Sequence, residues 1–398
     1  MTSILKIGKL LFFGLGLLVL ISSCNKDDDH LPELNYLVDY QELATISASS
    51  IRSTIILSQL DFPTDELIYD VTIYKVRYRT HYKNDEIIAS GLVAIPDVEV
   101  TKGILSFQHG TIAADQEAPS NESPGSITLK IYGAFSAAGL IVSVPDYIGF
   151  GSSVELMHPY YVEDLTATAV VDQVYASSEL AMVLKLDQEK DLYLAGYSQG
   201  GYATMATHKY IEEIGIDDYD LVASFPSSGG YDVVGMRDFF FEQESYHQPF
   251  FIAFVAEAYR QSYDWEESLN KYFNEPYASG IPDYFDGSLS GSEINALLTN
   301  DIGLLVKEDY LMNTSSSDYH LINTAFAQNS LTDWDPEIEM YMYHGDADIT
   351  VPYQNSVDVY EGFNPEVVTF LTIQGGTHGT SFYPYLEDMA NRLNDYIN

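Results

Sequence analysis

The stretch Gly196-Tyr197-Ser198-Gln199-Gly200-Gly201 constrains this chain more than any other. It follows a short apolar run, Leu192-Tyr193-Leu194-Ala195, and opens a helical pattern that continues to Ile214. Where a strand turns directly into a helix the two backbones approach too closely for side chains, so glycines must flank the turn. The serine between them takes strained backbone angles that lift its hydroxyl clear of the sheet. A bare G-x-S-x-G recurs by chance in many chains. Set between a strand and a helix, it predicts a nucleophilic Ser198 and a sheet built from βα units.

The flanking sequence repeats that rhythm. Runs at Val71 to Tyr82 and Glu86 to Ile95 alternate about the polar turn Lys83-Asn84-Asp85 and predict an antiparallel hairpin. Short apolar strands follow at Gly103 to Phe107, Leu140 to Val144 and Leu221 to Phe225, with a helix over Leu165 to Leu186. Strands at Ile338 to Tyr343 and Val367 to Thr372 and a helix from Tyr383 to Ile397 close the chain. Strand and helix in alternation imply a mostly parallel sheet covered by helices on both faces. Between about Tyr231 and Ser330 the alternation stops and aromatics accumulate, among them Phe239-Phe240-Phe241, Phe250-Phe251, Tyr259 and Trp265. An excursion of that length in a compact fold is read as a cap over the carboxyl ends of the strands.

The start of the chain reads differently. Lys6 and Lys9 precede an apolar run from Leu10 to Ile21, too short to be read first as a membrane span, and Ser22-Ser23-Cys24 follows. Leu20-Ile21-Ser22-Ser23-Cys24 resembles the lipobox of bacterial lipoproteins, which implies a lipidated Cys24. Cys24 is the only cysteine, which excludes disulfides within one chain. The acidic run after it reads as a tether, and resembles a signal that sends some lipoproteins to the cell surface. The expected organisation is a signal peptide over 1–23, lipidated cysteine and tether over 24–38, a core over 39–230 and 331–398, and a helical cap over 231–330.

A nucleophilic serine needs a base and an acid to orient it. Of nine histidines, His378 alone lies beyond Leu371, in the flexible loop Gly375-Gly376-Thr377-His378-Gly379-Thr380 that follows the last strand. The loop His344-Gly345-Asp346-Ala347-Asp348 follows the preceding strand and offers two carboxylates. Asp346 suits a turn stabilised by its own side chain. His208 and His344 are read as packing residues. For the oxyanion, the amide after the nucleophile, Gln199, is one donor, and the loop Gln108-His109-Gly110-Thr111 supplies the other, Thr111 first and Gly110 next.

Together these motifs, with Pro145-Asp146-Tyr147-Ile148-Gly149-Phe150-Gly151, resemble the α/β-hydrolase superfamily over residues 70 to 398. The Asp-Tyr-x-Gly-x-Gly loop and the Gly-Tyr-Ser-Gln-Gly-Gly elbow resemble secretory lipases and related bacterial esterases. The resemblance implies an α/β-hydrolase fold with the cap inserted before the last two strands, and the chain order Ser198, Asp348, His378. His344-Gly345-x-x-Asp348-x-x-Val351-Pro352 matches the hydrolase pattern in which the second aspartate faces the histidine. It further implies a carboxylic-ester hydrolase acting on small-molecule or lipid esters, without a cofactor. A serine peptidase of the prolyl-oligopeptidase kind shares the elbow but usually carries a propeller ahead of it, for which 24–69 is too short. An idle binding protein would not need a complete set of serine, acid and base.

Composition excludes other partners. The formal net charge of −41, from 59 acidic and 18 basic residues, repels phosphate backbones and anionic headgroups, so no nucleic acid is expected and the membrane is met only through the N-terminal lipid. There is no HExxH, paired CxxC or Walker loop, so no metal or nucleotide site is predicted.

Overall fold

A computed structural model of the chain describes residues 34–398; Cys24, the signal peptide and most of the tether lie outside the described residues. Eleven strands are found in chain order among them: β1 (Leu37–Ile46), β2 (Val71–Tyr82), β3 (Asp85–Pro96), β4 (Val100–Thr101), β5 (Ile104–Gln108), β6 (Ile141–Pro145), β7 (Asp187–Gln188), β8 (Asp191–Tyr197), β9 (Asp220–Ser227), β10 (Met340–Gly345) and β11 (Val368–Ile373). Nine of them form one sheet, β1-β2-β3-β6-β5-β8-β9-β10-β11, while β4 and β7 pair separately. The first three strands run antiparallel to their neighbours, and from β6 to β11 every pairing is parallel.

The fold is that of the α/β-hydrolases. Helices α1 (Ala48–Leu57) and α2 (Ile127–Ala137) pack on one face of the sheet, and α3 (Glu163–Val183) and α4 (Gln199–Ile214) on the other. The central strands β5, β6 and β8 are almost wholly buried, as strands covered on both faces must be. The hairpin β2–β3 pairs from Val71↔Pro96 to Tyr82↔Asp85, and its two-residue turn takes Lys83 to φ 58°.

Ordered backbone begins earlier than the tether expectation over 24–38 allows. The Glu179 carboxylate on α3 accepts the amides of Asn35, Tyr36 and Leu37 at 2.7, 3.0 and 2.6 Å. Three charge-assisted bonds fix the entry of β1, so the chain is tied to the core from Asn35 onward.

Seven helices occupy the segment between β9 and β10: α5 (Val233–Glu242), α6 (Pro249–Ser262), α7 (Tyr277–Tyr284), α8 (Gly291–Leu297), α9 (Ile302–Leu305), α10 (Glu308–Met312) and α11 (His320–Gln328). Their aromatics bury against one another and against Tyr160 and Tyr161 of the loop before α3, so cap and core share one apolar cluster. Two more helices, α12 (Tyr353–Tyr360) and α13 (Phe382–Ile397), follow the last two strands; α13 buries Tyr385, Leu386, Met389 and Leu393 on the face that carries α1 and α2.

Candidate active site

Ser198 sits between β8 and α4 with φ 62° and ψ −122°, a conformation that non-glycine residues rarely adopt. The strain is held by the close approach of neighbouring backbones. A Cβ at Gly200 would lie 1.9 Å from the Gln108 carbonyl oxygen, and one at Gly201 2.2 Å from that of Ser227. The Ser198 amide donates to the Ser227 carbonyl at 2.9 Å, so β9 fixes the turn from the other side. Local sequence and tertiary packing agree here, and the serine hydroxyl is directed away from the sheet.

The loops after β11 and β10 bring the two other residues to it. His378 Nε2 lies 2.9 Å from Ser198 Oγ, and His378 Nδ1 lies 2.6 Å from Asp348 Oδ2. With Nδ1–H donating to the carboxylate, Nε2 is left to accept the serine proton. The Tyr197 hydroxyl donates to the His378 carbonyl at 2.5 Å and holds the loop that carries the ring.

Asp348 is enclosed: its side chain is 0% exposed. Its Oδ1 accepts the amides of Thr350 and Val351 at 2.8 and 3.0 Å. A second imidazole, His344, approaches Oδ2 at 3.3 Å through Nε2, which also lies 3.0 Å from the Val351 carbonyl. His344 Nδ1 is 2.6 Å from Ser356 Oγ, so an Nε2–H tautomer satisfies every partner of the ring. Burial alone would push the Asp348 carboxyl up; the hydrogen bonds from His344 and His378 outweigh it and hold the group well below the usual carboxylate range. The aspartate is therefore held as an anion.

Asp346 is exposed, and its Oδ1 accepts the Gly375 amide at 2.6 Å. It ties the acid loop to the histidine loop, where the sequence predicted a turn closed within its own segment. His208 bonds Ser224 and Glu212 behind the elbow, as a packing histidine does. The sequence reading treated His344 as a packing residue and missed its contact with Asp348, although its place in the same short motif is the signal that carries it.

The oxyanion candidates are placed less evenly. Gln199 opens α4, whose first amides lack partners within the helix, while its side chain turns away and meets buried His158 at 2.7 Å. Gly110 is brought against the nucleophile: a Cβ there would lie 3.7 Å from the Ser198 Cβ. Thr111, the preferred donor of the sequence reading, has its hydroxyl 3.0 Å from that of Tyr160 and lines an outer groove together with His378.

Ser198 opens into an apolar pocket under the cap. Its walls come from Tyr160 and Tyr161 of the core and, among others, Phe240, Val255, Tyr272 and Phe326 of the cap. Such a lining suits an apolar group held beside the serine. Chemically, the arrangement can pass a proton from a hydroxyl to an imidazole while a carbonyl carbon sits above the oxygen.

The profile of the secretory lipase family matches residues 127–214, which hold α2, the Asp-Tyr-x-Gly-x-Gly loop and the elbow. None of the curated protein sequences matches. Among solved structures, a candidate hydrolase of Legionella pneumophila superposes with a TM-score of 0.81 at 25% identity, covering 91% of this chain and 98% of that one. The rice cell wall degrading esterase LipA of Xanthomonas oryzae superposes with a TM-score of 0.77 at 21% identity, covering 92% and 98%. Candida antarctica lipase A gives 0.62 at 16% identity, covering 90% and 83%.

Proposed function

We propose that the protein is a carboxylic-ester hydrolase that works through an acyl-enzyme on Ser198. The observation that carries this reading is the chain of contacts from Ser198 through His378 to Asp348 at the mouth of an apolar cavity. His378 takes the proton as Ser198 Oγ attacks the ester carbonyl, and Asp348 stabilises the imidazolium that forms. Backbone amides at Gln199 and in the Gly110–Thr111 loop face the developing oxyanion. His378 returns the proton to the departing alcohol, and water activated by the same ring releases the acid. The secretory lipase match and the esterase and lipase neighbours support an ester substrate.

The apolar cavity suits neutral fatty, short-chain or aromatic acyl groups. Within a series of esters from acetate to palmitate, with acetylated and feruloylated sugars as a second arm, the wild type should therefore turn over at least the shorter members. Ser198→Ala should abolish that turnover, and prolyl and other peptide anilides should give only trace rates. Anilide hydrolysis faster than every ester would replace this reading by a peptidase.

The envelope location belongs to the same proposal and rests on sequence. Lipidation of Cys24 would hold the enzyme on a bacterial outer membrane, and one acyl chain alone would bind only marginally. Cys24→Ala should release active enzyme from the membrane fraction; unchanged partitioning would end the lipoprotein reading.

A further inference from the structure

One charged side chain interrupts the apolar wall of the cavity that Ser198 opens into. Arg237, on α5, is the only charged residue lining that cavity among the described residues. The same side chain lines a polar groove on the cap surface, bounded among others by Thr314, Ser317, Asn323 and Gln328. Arg237 thus stands between two spaces, one apolar and leading to the nucleophile, the other open and hydroxyl-rich.

A guanidinium in an apolar wall is costly unless its donors are met. Arg237 Nε donates to Asp238 Oδ1 at 2.8 Å and Nη1 to Asn323 Oδ1 at 2.9 Å, and the cation lies 5.7 Å from the Phe326 ring centre. Its side chain is 11% exposed, while Asp238, which neutralises it, is 52% exposed. A cation already paired in this way is a poor receptor for an anionic acyl group. Its contribution is steric: it is a fixed partition, latched to α11 through Asn323.

We propose that Arg237 is the end wall of the acyl cavity and sets the longest acyl chain the enzyme accepts. Chains that end short of the guanidinium bury every methylene. Longer chains meet a hydrogen-bonded, half-desolvated ion pair and cannot pass. The inference rests on the proposed ester hydrolysis and on reading this cavity as the acyl site.

The test is the ratio of kcat/KM for long to short acyl esters, from acetate to palmitate, in wild type, Arg237→Ala and Arg237→Met. Wild type should show a cut-off at an intermediate length. Alanine opens the cavity into the groove, and each further methylene that finds room should raise the ratio by about three- to fourfold. Methionine keeps part of the bulk but neither the charge nor the latch to Asn323, and should extend the cut-off by less than alanine does. Should Arg237→Ala fold poorly, Asn323→Ala unlatches the wall with the guanidinium retained and should extend the cut-off by a smaller step. An unchanged cut-off in Arg237→Ala, or in Asn323→Ala where it replaces it, overturns the proposal, as does an equal extension by alanine and methionine. Failure to hydrolyse esters of any length would instead sink the proposed function itself.

Discussion

At the scale of single residues, the two aspartates of one loop separate cleanly. Asp348 is enclosed and holds two imidazoles and two amides, whereas exposed Asp346 accepts one amide across to the histidine loop. Asp348→Asn replaces an acceptor by a group that can donate, so His378 loses the tautomer that leaves Nε2 free. Turnover should fall by about three to four orders of magnitude, as triad acids do elsewhere. Asp346→Asn retains an oxygen for the Gly375 amide, so its loss should stay below about tenfold. Steady-state kinetics on one ester decides it, and the reverse order would mean that the acid is misassigned. Ser198, His378 and Asp348 were legible because each sits in a short motif whose position in the chain is dictated by the sheet. The bonds that hold their neighbours in place were not, beyond the nearness of His344 to Asp348 in one motif. His344 bonds Ser356 twelve positions away, and Tyr197 bonds the His378 carbonyl across 181 positions; no local pattern announces either.

At the scale of elements, the loop after β6 is folded over neutral histidines. His158 is fully buried, bonded to the Ile148 carbonyl and the Gln199 side chain, and burial holds its ring down to about 3; His109 is likewise held down to about 4. Both folded values lie below the unfolded value of 6.5. The unfolded chain therefore takes up protons that the folded one refuses, so this stability is full above pH 6.5 and is lost as pH falls toward 4 and 3. Between pH 7 and pH 5 each histidine removes about 2 kcal/mol. Urea unfolding at the two pH values should thus show a drop that is smaller by about 2 kcal/mol in His158→Gln than in wild type. Equal drops would mean that His158 is not buried as a neutral ring. Among the elements, the β2–β3 hairpin, the βα units and α13 were readable from period and position. β1 was not, because as an edge strand it buries only Leu37 and Ile46 and shows no alternation. α2 is buried along most of its length, and without a polar face it carries no helical signature.

At the scale of the whole molecule, the acid loop, base loop and elbow converge because β8, β9, β10 and β11 are parallel neighbours whose carboxyl ends lie on one edge. The mostly parallel sheet and the place of the insertion could be anticipated from the motifs and the broken rhythm, whereas the order of the strands could not. The cavity could not, because Tyr160, Val233, Tyr272, Val306 and Phe326 meet only after the insertion has folded back over the core. On the proposed reading, substrate choice lies in the part of the molecule least visible in sequence, and the chemistry in the part most visible. The central claim is that a single serine, activated by that convergence, carries the acyl group. Its most direct test is to treat the wild-type protein with a fluorophosphonate, follow ester turnover, and locate the adduct by peptide mass. One adduct is expected, on Ser198, rising in step with the loss of activity and absent from Ser198→Ala. Full ester turnover in a protein without an adduct, or an adduct on another residue that tracks the loss, would contradict it.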